Sequence, residues 1–418
     1  MIFTPYPDEA EKINILHRIS NRDYALLRIT PTMVEKNNID CNGIFRDLLF
    51  KSGIADYTLF GHGSKNGVNT DALFILNGKV DVVNMNFYRV NGERGDRRFK
   101  FGLIKKRTQN DDIYFGDLLL FSTYEDVDGS NRIFIVNLTH NFPTVEEIEN
   151  VIGKDSITEL LREKKDILKR ILDGDYYDNV NGPNRDDSRD AGDTLENCLG
   201  IDMNNRRDAD MEGLIEVKSK VSKATKDTLF TLRPHFEGTK TEKVEPSDRN
   251  RVSALTRLYG YDSDEHPGQS CLYITIGSEE APQNKHGFFL RLDEENGRVN
   301  MMHKKDSKEE VACFWKFDEL EKTLNEKHKS TLWFKAKKKT EDGITKYKYI
   351  SMEFTRSPQF ATFISMIKAG DITYDWRGHT TKSGRYSGKN HGNAWRTKNE
   401  EVRRNLFATV DILDLDNL

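Results

Sequence analysis

The chain has 418 residues, a length that suggests two or three domains at roughly 150 residues each. Hydrophobic residues make up 36%, charged residues 32%, and 64 Lys+Arg against 68 Asp+Glu leave a formal net charge of −4. This composition excludes a disordered chain, and no apolar run approaches the ~18 residues of a membrane span. Cys41, Cys198, Cys271 and Cys313 stand too far apart for a CxxC metal site, and the first residues lack the order of a signal peptide. A soluble, cytoplasmic protein with free thiols is expected. As an average, −4 speaks against a nucleic-acid partner, so the local distribution of charge has to be read.

In chain order, the first 150 residues are mostly β. Tyr24–Ile29, Ala72–Leu76, Val80–Asn84 and Arg97–Ile104 are short β-rich runs between Gly, Asn and Asp. Asp117–Tyr124 and Arg132–Leu138 flank the hairpin turn Asp128-Gly129, and one helix interrupts the series at Gly43–Phe50. Short strands at this spacing predict a barrel or sandwich. Thr144–Ile152 and Thr158–Leu172 carry helical periodicity. Asp173–Asp193 follows, with seven Asp against Arg185 and Arg189, and reads as an exposed acidic linker. Beyond it, helices are expected at Asp193–Leu199 and Phe317–Asn325. Strands are expected at Gly213–Lys220, Ser270–Ile276, Gly287–Leu292, Thr331–Ala336 and Lys346–Phe354. The organisation expected is therefore a mainly-β domain over 1–150, a helical segment and acidic linker over 151–192, and an α/β (α+β) domain over 193–418.

The chemistry concentrates between Asp193 and Ser219. Hydrolysis of a phosphodiester needs a divalent cation to neutralise phosphate charge, and hard cations take carboxylate oxygens. In Leu214-Ile-Glu-Val-Lys218, Glu216 and Lys218 lie two apart on a strand and so share one face. Asp210 lies six residues earlier and brings a second carboxylate to the strand's start, with Gly213 easing the turn. Glu163-Lys-Lys165 and Asp306-Ser-Lys308 match the same short pattern, but in a helical run and a polar loop. Glu196 has two readings: the Asp193–Glu196 spacing is that of a capping box, or Glu196, one turn into its helix, faces the metal site.

Basic charge collects near the C-terminus. Trp376–Arg404 holds eight Lys+Arg, Arg377, Arg385 and Arg396 among them, against Glu400 and Glu401. His328–Lys348 holds seven lysines against Glu341 and Asp342. Such stretches suit phosphate contacts, and Arg reads guanine bidentately, although a solvated basic surface is the plainer reading of the lysine run. No GxxxxGK[ST], GxSxG or HExxH motif occurs.

Thr194-Leu-Glu-Asn-Cys-Leu-Gly-Ile201, Asp210, Gly213 and Ile-Glu-Val-Lys218 together resemble the catalytic core of the MvaI/BcnI restriction endonucleases, relatives of the mismatch-repair nuclease MutH. The resemblance covers about 225 residues, with one residue more than the family pattern between Asp210 and Glu216. A β-bulge would absorb it, or Asp208 or Glu212 would replace Asp210. It implies a PD-(D/E)xK nuclease domain and Mg²⁺-dependent cleavage of double-stranded DNA leaving 5′-phosphates. Glu196, Asp210 and Glu216 would surround the metal, with Lys218 at the water. Asp375-Trp-Arg377 and His391-Gly-Asn-Ala-Trp-Arg396 resemble the family's recognition elements, which implies that Arg377, Arg385, His391 and Arg396 contact DNA while Asp375 orients them. The resemblance further implies a CCNGG-like site (CCWGG or CCSGG), a prokaryotic cytoplasmic monomer, and a cognate DNA methyltransferase acting on the same sequence. Phe115-Gly-Asp-Leu-Leu-Leu-Phe121 resembles the signature of B3-like DNA-binding pseudobarrels, with Arg94, Arg97, Arg98, Lys100, Lys105, Lys106 and Arg107 as one basic face and Arg18, Arg22 and Arg28 as another. A MutH-like nicking enzyme and a non-catalytic two-module DNA-binding regulator remain as alternative readings.

Overall fold

The computed structural model describes residues 4–20, 22–92, 95–126, 128–201, 209–222, 224–390, 392–413 and 415. It divides into two compact units, Met1–Leu160 and Leu161–Leu418.

The first unit is built on seven strands: β1 (Tyr24–Arg28), β2 (Ile39–Asp40), β3 (Val68–Leu76), β4 (Lys79–Arg89), β5 (Arg97–Phe101), β6 (Leu118–Glu125) and β7 (Asn131–Asn137). They form one sheet in the order β1-β6-β7-β3-β4-β5-β2, antiparallel except where β3 meets β7. Alternation along the central strands explains their unbroken apolar runs. Leu119, Phe121, Ile133, Ile135 and Phe74 face one core with Phe45, Phe87, Phe99 and Phe101. Leu118, Leu120, Phe134, Val136 and Ile75 face the other, beneath Ile13, Leu16 and Ile148. Successive side chains of a strand point to opposite faces, so a strand covered on both sides is apolar throughout.

Two polar hubs fix this unit. Asp117 is fully buried and accepts hydrogen bonds from the Tyr114 amide (2.8 Å) and the Asn137 amide group (2.7 Å), with the His140 ring against its other oxygen. The Gly-Asp pair therefore ends a turn, with Gly116 at φ 95°, and starts β6. Glu9, on the helix Pro7–Ile19, is fully buried and pairs with Arg28 at 2.7 Å. Arg28 is thus committed to the interior rather than to a basic face. Arg107 is too, buried beside Asp81 (3.0 Å) and Asp112 (3.6 Å). Arg94 and the Arg18 side chain lie outside the described residues.

The second unit holds three sheets. The first contains β8 (Tyr177–Asp178), β9 (Glu216–Val221), β15 (Ser330–Glu341), β16 (Ile344–Pro358) and β20 (Phe407–Asp411) in the order β20-β16-β15-β9, with β8 on β16. Here β9 is an edge strand, parallel to β15. The second sheet contains β10 (Asp227–Phe230), β11 (Gln269–Ile276), β17 (Ile372–Thr381), β18 (Gly388–Asn390) and β19 (Ala394–Thr397) in the order β10-β19-β17-β11, with β18 on β17. The third is the meander β12 (Phe288–Asp293), β13 (Arg298–Lys305) and β14 (Lys308–Lys316), whose last turn is Asp306-Ser307, both at positive φ. A core of Trp315, Tyr374, Trp376, Trp395 and Phe363 binds the second and third sheets. No helix among the described residues is long and apolar enough to cross a membrane, and all four cysteines are free.

The stretch Asp173–Asp193 is folded, not an exposed linker. β8 pairs with β16, the Asn179 amide donates to the Thr345 carbonyl (2.9 Å), and the Asn184 amide donates to the Gly343 carbonyl (2.9 Å). Asp190 is fully buried and accepts from Asn179 (2.9 Å), Asn181 (2.9 Å) and the Asp187 amide (2.8 Å). Polar residues here satisfy one another, so order does not depend on apolar burial.

One buried cation joins the first two sheets. The Arg403 side chain is 3% exposed, lies 4.1 Å over the Trp333 ring, and bridges Asp227 on β10 (3.1 Å) to Glu353 on β16. Removing Arg403 would leave buried Asp227 with Lys220 and buried Glu353 with Arg404 as their remaining cations, and losing one partner of such a network costs up to about 3–5 kcal/mol. Arg403→Met is expected to lower the unfolding free energy by up to that amount, which at an m-value of roughly 3 kcal/mol/M is a fall of about 1 M in the urea midpoint, and a midpoint within a few tenths of a molar of the parent would contradict the assignment.

Candidate functional site

The helix Asp190–Leu199 begins three residues before the expected cap, so Asp193 sits inside its first turn and accepts from Asn181 (2.7 Å). The capping-box reading of Glu196 is therefore replaced. Glu196 occupies the second turn, and Gly200 closes the helix in the left-handed conformation (φ 71°). From Ala209 the chain turns tightly. Met211 bridges Ile215 while Glu212 (φ 53°) and Gly213 (φ 73°) take left-handed conformations just before β9. Asp210 faces the start of the strand, its Oδ2 accepting from the Val217 amide at 2.9 Å. Glu212 is exposed and lies 3.6 Å from Lys164, and Asp208 lies outside the described residues.

Glu216 opens β9 with its side chain 1% exposed. Lys218, two residues on and on the same face, donates to Glu216 Oε1. Glu216 Oε2 is buried without a hydrogen bond, and Lys327 Nζ, at the end of the helix Phe317–His328, stands 3.6 Å from it. Lys327 carried no signal in the sequence, since 111 positions separate it from Glu216 and only the fold brings them together.

Burial first, and charge repulsion after it, raise two carboxylates of this cluster. Burial and then the neighbouring Asp210 and Asp193 push Glu196 up to about 7, with Lys218 opposing. Asp210 is raised by burial and then by Glu216, against the Val217 amide, Lys218 and Lys327. Burial would lower Lys218, but Glu216 and the other carboxylates raise it above the ordinary lysine range. Such a donor set, in which Glu196 and Asp210 are raised and Glu216 keeps one buried oxygen without a hydrogen bond, has the chemistry of a hard-cation site. Among the described residues, however, no three His, Cys, Asp or Glu side chains are drawn together closely enough to form a finished metal cage.

The second sheet gathers the other candidates. Asp375, 2% exposed on β17, accepts from the Thr275 hydroxyl (2.8 Å) and lies within reach of Lys226 (3.4 Å), Arg377 (3.0 Å) and Arg396 (3.1 Å). Burial would raise its pKa, but Thr275 and the three cations outweigh it and hold the carboxyl below its ordinary range. The register explains the convergence: Thr275 faces Asp375, and Arg396 faces both Thr373 and Thr228 across its two neighbouring strands. Asn393 accepts from the Arg377 amide (2.7 Å). Lys226 was not anticipated. Arg385 is exposed in the loop after β17, apart from this carboxylate, and His391 lies outside the described residues. A cavity of about 640 Å³ is lined by Lys218, Lys220, Lys226 and Arg396.

A family model of the MvaI/BcnI restriction endonucleases matches residues 166–407. The chain belongs to this family. It is accordingly a type II restriction endonuclease. Restriction endonuclease MvaI in complex with cognate DNA is similar in structure at 23% identity and a TM-score of 0.50, over 61% of this chain and 98% of that one, which shows the shared fold. MvaI without DNA matches at 22% identity and a TM-score of 0.35, over 62% and 98%. The N-terminal domain of Helicobacter pylori LlaJI.R1 matches at 18% and a TM-score of 0.17, over 28% of this chain and 89% of that one. At those two scores nothing further follows for this chain. No curated protein matches the sequence.

Folded Glu196 keeps its proton to about pH 7, whereas an unfolded glutamate releases it near ~4.3. Between these values the folded chain binds more protons, so this group's contribution to stability is present at low pH and lost as pH rises towards 7. Glu196→Gln should therefore gain a few degrees of Tm relative to the parent on going from about pH 5 to about pH 7.5 in metal-free buffer. An equal Tm difference at both pH values would contradict the raised pKa.

Proposed function

We propose that the second unit is a PD-(D/E)xK nuclease that hydrolyses double-stranded DNA at a CCNGG-like site with Mg²⁺, leaving 5′-phosphates. The observation that carries this reading is the buried, part-unbonded Glu216 with Lys218 on the same strand face, beside two carboxylates that repel one another. Glu196, Asp210 and Glu216 would hold the cation, which supplies charge neutralisation at the phosphate and a more acidic water. Glu216 supplies oxygen donors held in place by its burial. Lys218 turns its ammonium towards the attacking water and the phosphate oxygens, so that developing negative charge meets a fixed cation. Water attacks phosphorus in line, the bond to the 3′ oxygen breaks, and the phosphate remains on the 5′ side.

Arg377 and Arg396, with Arg385 and His391, are assigned to DNA contact, and Asp375 sets the guanidinium planes. Of the relatives, MvaI has been seen with its cognate DNA substrate, which supports duplex DNA as the ligand here. We infer that the first unit is a B3-like DNA-binding module, that the enzyme acts as a monomer, and that a cognate methyltransferase shares its site.

Lys218→Ala or Glu216→Ala should reduce Mg²⁺-dependent plasmid cleavage by about 10³-fold or more, as expected when several kcal/mol of transition-state charge stabilisation is lost, while duplex binding persists. Residual cleavage near the parent rate would sink the assignment. End mapping of digested DNA gives site, stagger and phosphate position together, and product halted at the nick would instead favour a MutH-like reaction. Arg377→Ala should cost about 1–3 kcal/mol of affinity and relax selection at one base pair; a loss equal for all sequences would make it a phosphate contact.

A further inference from the structure

The acidic stretch and the lysine-rich hairpin, widely separated in sequence, meet in the fold. Lys338 donates to both oxygens of Asp186, at 2.9 and 2.7 Å. Lys346 lies 3.4 Å from Asp178, and Lys348 lies 3.8 Å from Asp175. These pairs follow the β15–β16 hairpin, along which β8 runs. Asp186 and Asp187 also line the cavity that holds Lys218 and Arg396. Of the three paired lysines, Lys338 lines this cavity together with Asp186, while the Lys346–Asp178 and Lys348–Asp175 pairs continue along the same hairpin. The backbone of the acidic stretch is anchored by buried Asp190 and by the strand pairing, so the acids stand at fixed places rather than on a loose tail.

We propose that Asp175, Asp178 and Asp186 act as an intramolecular stand-in for DNA phosphates: they occupy the lysines of the β15–β16 hairpin and suppress sequence-independent binding. The inference rests on the DNA reading of the preceding section. Exposed ion pairs of this kind are individually weak, typically ~0–1 kcal/mol, so a duplex anchored by base contacts outcompetes them while one held by phosphates alone does not. Selectivity then comes partly from a repulsive element, beside the attractive contacts of Arg377 and Arg396.

The test is binding of the full chain to a labelled duplex of arbitrary sequence, in metal-free buffer, across a salt series. The three aspartates are exposed on their side chains (86%, 65% and 56%), so the triple variant Asp175→Asn/Asp178→Asn/Asp186→Asn should retain the fold, checked by its Tm. Expected are an affinity about tenfold higher than the parent's at low salt and a log K against log salt slope steeper by up to about 2.7, ~0.9 for each phosphate engaged by one of the three released lysines. Adding Lys338→Ala to the triple variant should take back part of both changes. A triple variant with the parent's affinity and slope would overturn the proposal, as would a lowered Tm with unchanged DNA binding, which would make the contact a structural clip. Failure of both the parent and the triple variant to bind any duplex, a CCNGG-containing one included, would overturn the DNA reading itself, and this inference with it.

Discussion

The geometry of the second unit depends on a guanidinium placed where water cannot reach it. Arg403 lies between a sheet that carries Glu216 and Lys218 and a sheet that carries Asp375, Arg377 and Arg396. Its partners, Asp227 on β10 and Glu353 on β16, belong to different sheets, so the ion network fixes one sheet against the other. Arg404 and Glu400 extend it to Lys335 on β15, and Lys220 extends it along β9 to Asp227. Charge buried in this way gives little net stability compared with apolar packing, but it tolerates few alternative arrangements. The distance between the Glu216–Lys218 pair and the cluster around Asp375 is thereby held by electrostatics as well as by the tryptophan core.

Three carboxylates illustrate how the same group is used in different ways. Asp375 is surrounded by cations and held ionised. Glu196 is surrounded by other carboxylates and tends to hold its proton. Asp190 is buried among amides and stays below the ordinary range, burial notwithstanding, through the Asp187 amide and then Asn179 and Asn181. Only the second is short of positive charge, which marks it as the place where a cation would lower the energy most. A net charge of −4 conveys none of this, because opposite charges distant along the chain neutralise one another locally.

Much of the fold was legible where one rule acts alone. Glu216-Val-Lys218 was readable as a strand face, because a period of two does not depend on the partner strand, and β6 and β7 were readable from their apolar runs. The helix Asp190–Leu199 was placed three residues late, since its first turn is made of Asp, Ala and Gly and carries no apolar period. β17 was read for its charge and not as a strand, although Asp375, Arg377 and His379 alternate with buried residues at the strand period. The Asp173–Asp193 stretch was misread because its order comes from side-chain amides and carboxylates meeting each other, which composition does not record. Lys327 and Lys226 reach the site through tertiary folding alone.

The parallel pairing of β9 with β15 also governs when the site can come into being. Parallel neighbours need a crossover, and here it is long: Glu216 sits opposite Thr331, with the helix and sheets of the intervening chain between them. During synthesis, β9 emerges as an unpaired edge, and its ladder is completed only after the whole of β15 has been made. The strand of Glu216 and Lys218 is thus locked in register only once β15 exists, at a point when three of the five strands of the second sheet, β17, β18 and β19, are still unmade. A truncated chain ending before residue 330 would hold every residue of the Glu216–Lys218 motif and none of the strand that orders it.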